Sequence, residues 1–220
     1  MTNELLQKHG VDAHYTPESL LEQFVGQNFR GMMLGLQKKY GFTMAQEELE
    51  DYVQAELGKV VEKLNEKAEP CPDVPEEIEK LYQKGYPMAI VSTSAKPRVV
   101  ASLEKTDLMK YFKYEHVYSA ATSLNPPSSK PDPKIYNYAC EQLGVKNEEC
   151  VTVEDSKSGA TSAMRANIPC IGYVGIYKIE DGEEKMKQME QVLKNDCKCK
   201  VIMYDWKDFE DCLKKVEESA

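Results

Sequence analysis

Apolar residues recur at helical spacing from the start of the chain. Leu20, Leu21, Phe24 and Val25 share one face behind Thr16-Pro-Glu-Ser, which supplies a capping residue and a proline at the first helical position. Asn28 to Tyr40 forms a second amphipathic segment stopped by Gly41, and Arg30 lies near its start. Thr43-Met-Ala-Gln-Glu reads as a cap with an acidic first turn, after which Leu49, Tyr52, Val53, Leu57, Val60, Val61 and Leu64 keep the period. Residues 1–68 are therefore expected to be helical throughout, a small bundle without a strand.

The pattern changes after the proline-rich connector Glu69-Pro-Cys-Pro-Asp-Val-Pro75, taken as the domain boundary. Beyond it, strands are predicted at 88–92, 115–119, 150–153, 170–174 and 200–204. Helices are predicted at 75–84, 97–105, 132–143, 157–167, 183–195 and 206–217. Short apolar strands alternating with helices imply an α/β domain over 69–220, a parallel sheet covered on both faces.

Composition narrows the functional classes. A net charge of −9 and pI near 5.0 argue against nucleic-acid or anionic-membrane partners, while leaving room for a local basic pocket. No apolar run approaches the roughly 18 residues needed to span a bilayer, and the N-terminus lacks a secretory pattern. Seven cysteines without regular spacing read as free thiols in a reducing, cytoplasmic setting. Cys197-Lys-Cys199 lacks the second ligand pair a structural zinc site needs.

Chemistry-bearing residues gather where strands end. In open parallel sheets, ligands collect beyond the carboxyl ends of the strands. Ser92, Thr93 and Ser94 follow the apolar run Met88 to Val91, where hydroxyls and backbone N–H groups can hold phosphate oxygens. Taken alone, such a run is more often a turn ending a strand. Lys130, in Ser128-Ser-Lys-Pro-Asp-Pro133, offers a compact charge suited to a phosphoryl group, although an isolated lysine is usually a solvated one. Glu154 and Asp155 end another strand, and adjacent acids there suit a hard cation such as Mg²⁺. The alternative is that Asp155 or Ser156 merely caps the helix carrying Gly159, Ala160 and Ala163.

In this order, the stretches Met88-Ala-Ile-Val-Ser-Thr-Ser94, Ser128-Ser-Lys-Pro-Asp-Pro133 and Val151-Thr-Val-Glu-Asp-Ser156 resemble motifs II, III and IV of the haloacid dehalogenase (HAD) superfamily. The likeness is greatest to its β-phosphoglucomutase-like and sugar-phosphate phosphatase branch. It implies a HAD-like Rossmannoid core under an N-terminal helical cap that closes over substrate and excludes water. It implies Ser92, Thr93 and Lys130 on the phosphate, Glu154 and Asp155 on Mg²⁺, and Arg30 on a distal phosphate or sugar. The implied partner is a small phosphorylated metabolite, and the implied state a monomer.

One part of the motif set is absent. The family opens with a strand ending in D-x-D, whose first aspartate attacks phosphorus and whose second serves as acid and base. No D-x-D occurs in the sequence; the first aspartate is Asp12, inside the helical region. The first core strand is accordingly expected to be missing from between strands 88–92 and 150–153, leaving a strained sheet unless those two pair directly or another segment fills the slot. Without that carboxylate the covalent route has no nucleophile and the chain is expected to be inactive. Truncation of a longer enzyme is the first explanation, and a non-catalytic relative binding a phosphorylated ligand or a protein is the second.

Overall fold

The computed structural model describes residues 2–16, 19–20, 23–24 and 29–219. The reading of Thr16-Pro-Glu-Ser as a helix start, the apolar positions Leu21 and Val25, and Gly26 to Asn28 fall wholly or partly outside them. The chain divides into two compact units, Met1–Glu62 and Lys63–Ala220.

The first unit holds α1 (Thr2–Lys8), α2 (Phe29–Tyr40) and most of α3 (Gln46–Lys67). Its core is Leu5, Leu6, Met33, Leu36 and Leu49, so the apolar residues of α2 serve mainly as bundle interior. Helix is not continuous here. Gly10, at φ 72°, turns the backbone left-handed after α1, and the following loop is non-helical. Asn3 ties that loop down through 2.9 Å bonds to the backbone of Tyr15. The last of these helices begins at Gln46 instead of next to Thr43, because residues 42–45 adopt no helical turn.

The second unit alternates strand and helix. After α4 (Val74–Gln83) come β1 (Ile90–Ser92), α5 (Lys96–Lys105), β2 (Val117–Ser119), α6 (Lys134–Leu143), β3 (Thr152–Glu154) and α7 (Lys157–Arg165). Then follow β4 (Cys170–Tyr173), α8 (Gly175–Glu180), α9 (Glu183–Gln191), β5 (Val201–Met203) and α10 (Phe209–Glu218). The short α8 gave no sequence signal of its own.

Every strand pairing is parallel, with Ile90 opposite Val117, Thr152 opposite Cys170, and Ile171 opposite Val201. Alternating side chains of β4 feed two cores. Ile171 and Tyr173 pack with Phe209, Cys212 and Val216 of α10, while Cys170 packs with Ala160 and Ala163 of α7. Helices therefore cover both faces, as a parallel sheet requires.

The sheet is nevertheless in two pieces, β1–β2 and β3–β4–β5. No ladder joins β1 to β3 among the described residues, so direct pairing did not close the slot. The physical trace is in the burial. β2 and β4 are buried along their whole length, whereas β1 is half-exposed throughout and β3 buries only its last residue. What bridges the pieces is a side chain, as described next.

Candidate functional site

Lys130 enters from the loop before α6. That loop is pinned to α7 by two side-chain bonds, Ser162 Oγ to the Asp132 carbonyl at 2.8 Å and Arg165 Nη1 to the Pro131 carbonyl at 3.1 Å. The lysine side chain is buried at 8% exposure, which overturns its exposed-looking sequence context. Its ammonium donates to the Val91 carbonyl at 2.8 Å and to Glu154 Oε1 at 2.5 Å. One cation thus ties the carboxyl end of β1 to that of β3. Their half-satisfied edges explain why a charge is tolerated there: a buried ammonium needs both a counter-ion and hydrogen-bond acceptors.

Tyr136, from the first turn of α6, completes this cluster. Its hydroxyl donates to Glu154 Oε1, and its ring centroid lies 4.7 Å from the Lys130 ammonium. Burial, and secondarily the Glu154 charge, push the phenol well above its ordinary pKa. It stays a donor at physiological pH. The other side of Glu154 is closed by Gly159, which the cap places. Ser156 Oγ accepts the Gly159 N–H at 3.1 Å, and that bond starts α7. Capping thus falls to Ser156, leaving Asp155 exposed at the rim, with its carbonyl accepting from the Tyr177 hydroxyl at 3.1 Å.

Ser92 follows Val91, so its backbone shares the rim with Lys130. Its Oγ accepts the Ser94 N–H at 3.1 Å, and the loop is stitched to β2 by Ser119 Oγ donating to the Ser94 carbonyl at 2.7 Å. Ser119 is fully buried and also holds the Thr122 N–H at 3.1 Å. Thr93 is exposed. The loop therefore combines a hydroxyl held by its own turn with a solvent-facing threonine next to it.

The structure brings Lys130, Glu154 and the Val91–Ser92 backbone together, with Asp155 alongside. Arg30 lies in the first unit, where its two terminal guanidinium nitrogens bond the two carboxylate oxygens of Glu50, raising the arginine's pKa and lowering that of Glu50. Glu154 is buried beneath an ammonium and a phenol that both bond its Oε1, whereas Asp155 is exposed at the rim, and one or two carboxylates with retained waters are the ligands Mg²⁺ usually takes. Among the described residues, no three His, Cys, Asp or Glu side chains are grouped to hold a metal.

Three contributors escaped the sequence reading of the site: Tyr136, Ser119 and the role of Gly159. Tyr136 and Ser119 carry ordinary helix and strand patterning, which hides a polar atom pointing inward. Gly159 stood in a small-residue run that signals close packing without saying against what.

Comparison with known proteins settles the lineage. Residues 1–173 match the family model described as haloacid dehalogenase-like hydrolase. The chain belongs to that family. A CBBY-like protein of Arabidopsis thaliana is 35% identical over 106 residues, 46% of this chain and 30% of that protein. A phosphorylated carbohydrates phosphatase of Thermotoga maritima is 33% identical over 112 residues, 51% of this chain and 49% of that protein. The matches thus span half or less of these curated relatives' length. The solved CbbY of Rhodobacter sphaeroides in complex with xylulose-(1,5)-bisphosphate superposes with a TM-score of 0.67 at 20% identity, over 93% of this chain and 84% of that one. Its likeness establishes a HAD-like fold: a Rossmannoid core with a helical cap. Among the described residues, no helix of this HAD-like chain is long and apolar enough to cross a membrane.

Proposed function

We propose that this chain carries the HAD-like phosphohydrolase site for a small phosphate monoester, a phosphosugar, but lacks the aspartate nucleophile and so does not turn it over by itself, as a cytoplasmic monomer with its helical cap over 1–68 and its core over 69–220. Ser92 and Thr93 take the phosphoryl oxygens through hydroxyl and N–H groups, and Lys130 neutralises their charge. Arg30 is assigned the distal end of the substrate. Glu154 orients Lys130, and Asp155 offers the rim carboxylate for a divalent cation. The observation that carries this reading is the Lys130 ammonium bridging the Val91 carbonyl and Glu154, which gathers three sequence-identified stretches at one sheet rim. The phosphatase activity and the bisphosphate ligand named for the relatives agree with this class.

A second reading rests on a different observation: no D-x-D occurs in the chain, and one oxygen of Glu154, Oε1, already takes both Lys130 and Tyr136. Under it, the chain binds a phosphorylated ligand without turning it over. Phosphate release from p-nitrophenyl phosphate and from a panel of hexose and pentose phosphates, with and without Mg²⁺, separates the two. Turnover lost in Asp155→Asn excludes the binding-only reading. Inactivity reversed by appending an apolar strand ending in Asp-x-Asp supports the phosphohydrolase. Inactivity that persists, with sugar-phosphate binding retained, supports the second reading.

A further inference from the structure

A cavity of about 330 Å³ opens at the carboxyl ends of β4 and β5, and none of Ser92, Thr93, Lys130, Glu154 or Asp155 lines it. That size suits a small molecule. Its walls include the rings of Tyr173, Tyr204 and Trp206, with Asp73 and Asp205 among the polar groups. Tyr173 and Trp206 stand 5.7 Å apart at 54°, so they present a bent aromatic wall. Gly175 allows this wall to form. A methyl there would lie 2.2 Å from the Tyr204 carbonyl oxygen and 2.8 Å from the Tyr173 ring.

Charge decides what such a cavity takes. Lys178 lines it but pairs with Glu183 at 3.6 Å, and Lys207 pairs with Asp73 at 3.0 Å. No described ion pair involves Asp205, Asp155 or Glu180. Burial first, then Cys71 and the carboxylates Asp205, Asp73 and Asp155, push Tyr173 up to about 12. Aromatic faces within a negative field attract cations and repel phosphate.

We infer that this cavity is a second binding site, for a small organic cation whose apolar body rests on Tyr173 and Trp206 while its ammonium faces Asp73 and Asp205. Trp206 is the single tryptophan of the chain, so its fluorescence reports on the site directly. The test is a titration of the full chain with phenethylammonium, alongside neutral 2-phenylethanol and anionic phenylacetate. A saturable Trp206 response, roughly tenfold tighter for the cation than for the alcohol, is expected. The double variant Asp73→Asn, Asp205→Asn should erase that preference. Both changes respect the backbone: asparagine tolerates the left-handed φ of 62° at residue 73, and it can still accept the Lys207 N–H that Asp205 now caps at 2.9 Å. Equal affinity for cation and alcohol, no saturable response, or a preference that survives the double substitution overturns the assignment. Because the readout is fluorescence, its outcome is independent of phosphate release.

Discussion

A methyl group built on Gly159 would stand 1.8 Å from a carboxylate oxygen of Glu154. Helix α7 therefore begins against a buried acid, and only a glycine lets it do so. Gly159→Ala should force either the helix or the Lys130–Glu154–Tyr136 cluster to move, costing about 1–3 kcal/mol. Alanine would otherwise favour the helix by about 1 kcal/mol, so a gain in the urea midpoint would show that the contact relaxes freely.

The Lys130–Glu154 pair is an asymmetric asset. Removing the cation in Lys130→Met leaves a buried, uncompensated carboxylate, for a loss of about 3–5 kcal/mol at pH 7. Glu154→Gln removes the charge but keeps an acceptor for Lys130 and Tyr136, and restoring neutrality in the double variant Lys130→Met, Glu154→Gln should recover part of the loss. Additive losses in a double-mutant cycle would mean that the two groups do not interact.

Alkaline stability follows from the tyrosines. Tyr136 and Tyr173 both have pKa values raised above the ordinary 10, Tyr173 to about 12, chiefly by burial. Between those values the unfolded state has lost a proton that the folded state retains, so unfolding becomes easier as pH rises. The contribution is complete below pH 10 and falls away through about pH 12. Tyrosinate absorbance should show these residues ionising late, together with loss of structure. Early, reversible ionisation of all tyrosines below pH 11 would contradict the burial argument, given roughly 10 as the free value.

The divided sheet makes a prediction about dynamics. Among the described residues, strands β1 and β3 each have a paired strand on one side only, whereas β4 is paired on both sides. Amide exchange measured by segment should be faster in 90–92 and 152–154 than in 170–173. Uniform protection across the three would indicate that the open edges are covered.

Much of this architecture is legible in periodicity. The second unit announces its strands through short apolar runs, and every predicted strand is present, though shortened, because only part of each run pairs in a ladder. The rim residues were also legible, since Ser92, Lys130 and Glu154 each sit just beyond or before such a run. Their pairing was not. An ion pair between residues 24 positions apart has no local signature, and Tyr136 looks like any aromatic on an amphipathic helix. Asp155 and Ser156 compete for one capping role, and only geometry shows that the serine takes it. The division of the sheet followed from a missing motif, whereas the manner in which Lys130 spans it did not.

Calorimetric titration of the purified chain with a hexose phosphate, set against the same hexose without its phosphate, tests the central claim most directly. The account predicts saturable binding of the phosphate ester alone, competed by inorganic phosphate and weakened roughly tenfold by Ser92→Ala, through loss of a hydrogen bond to a charged group. Equal heats for the two sugars, or phosphate-ester binding that Ser92→Ala leaves intact, would contradict it.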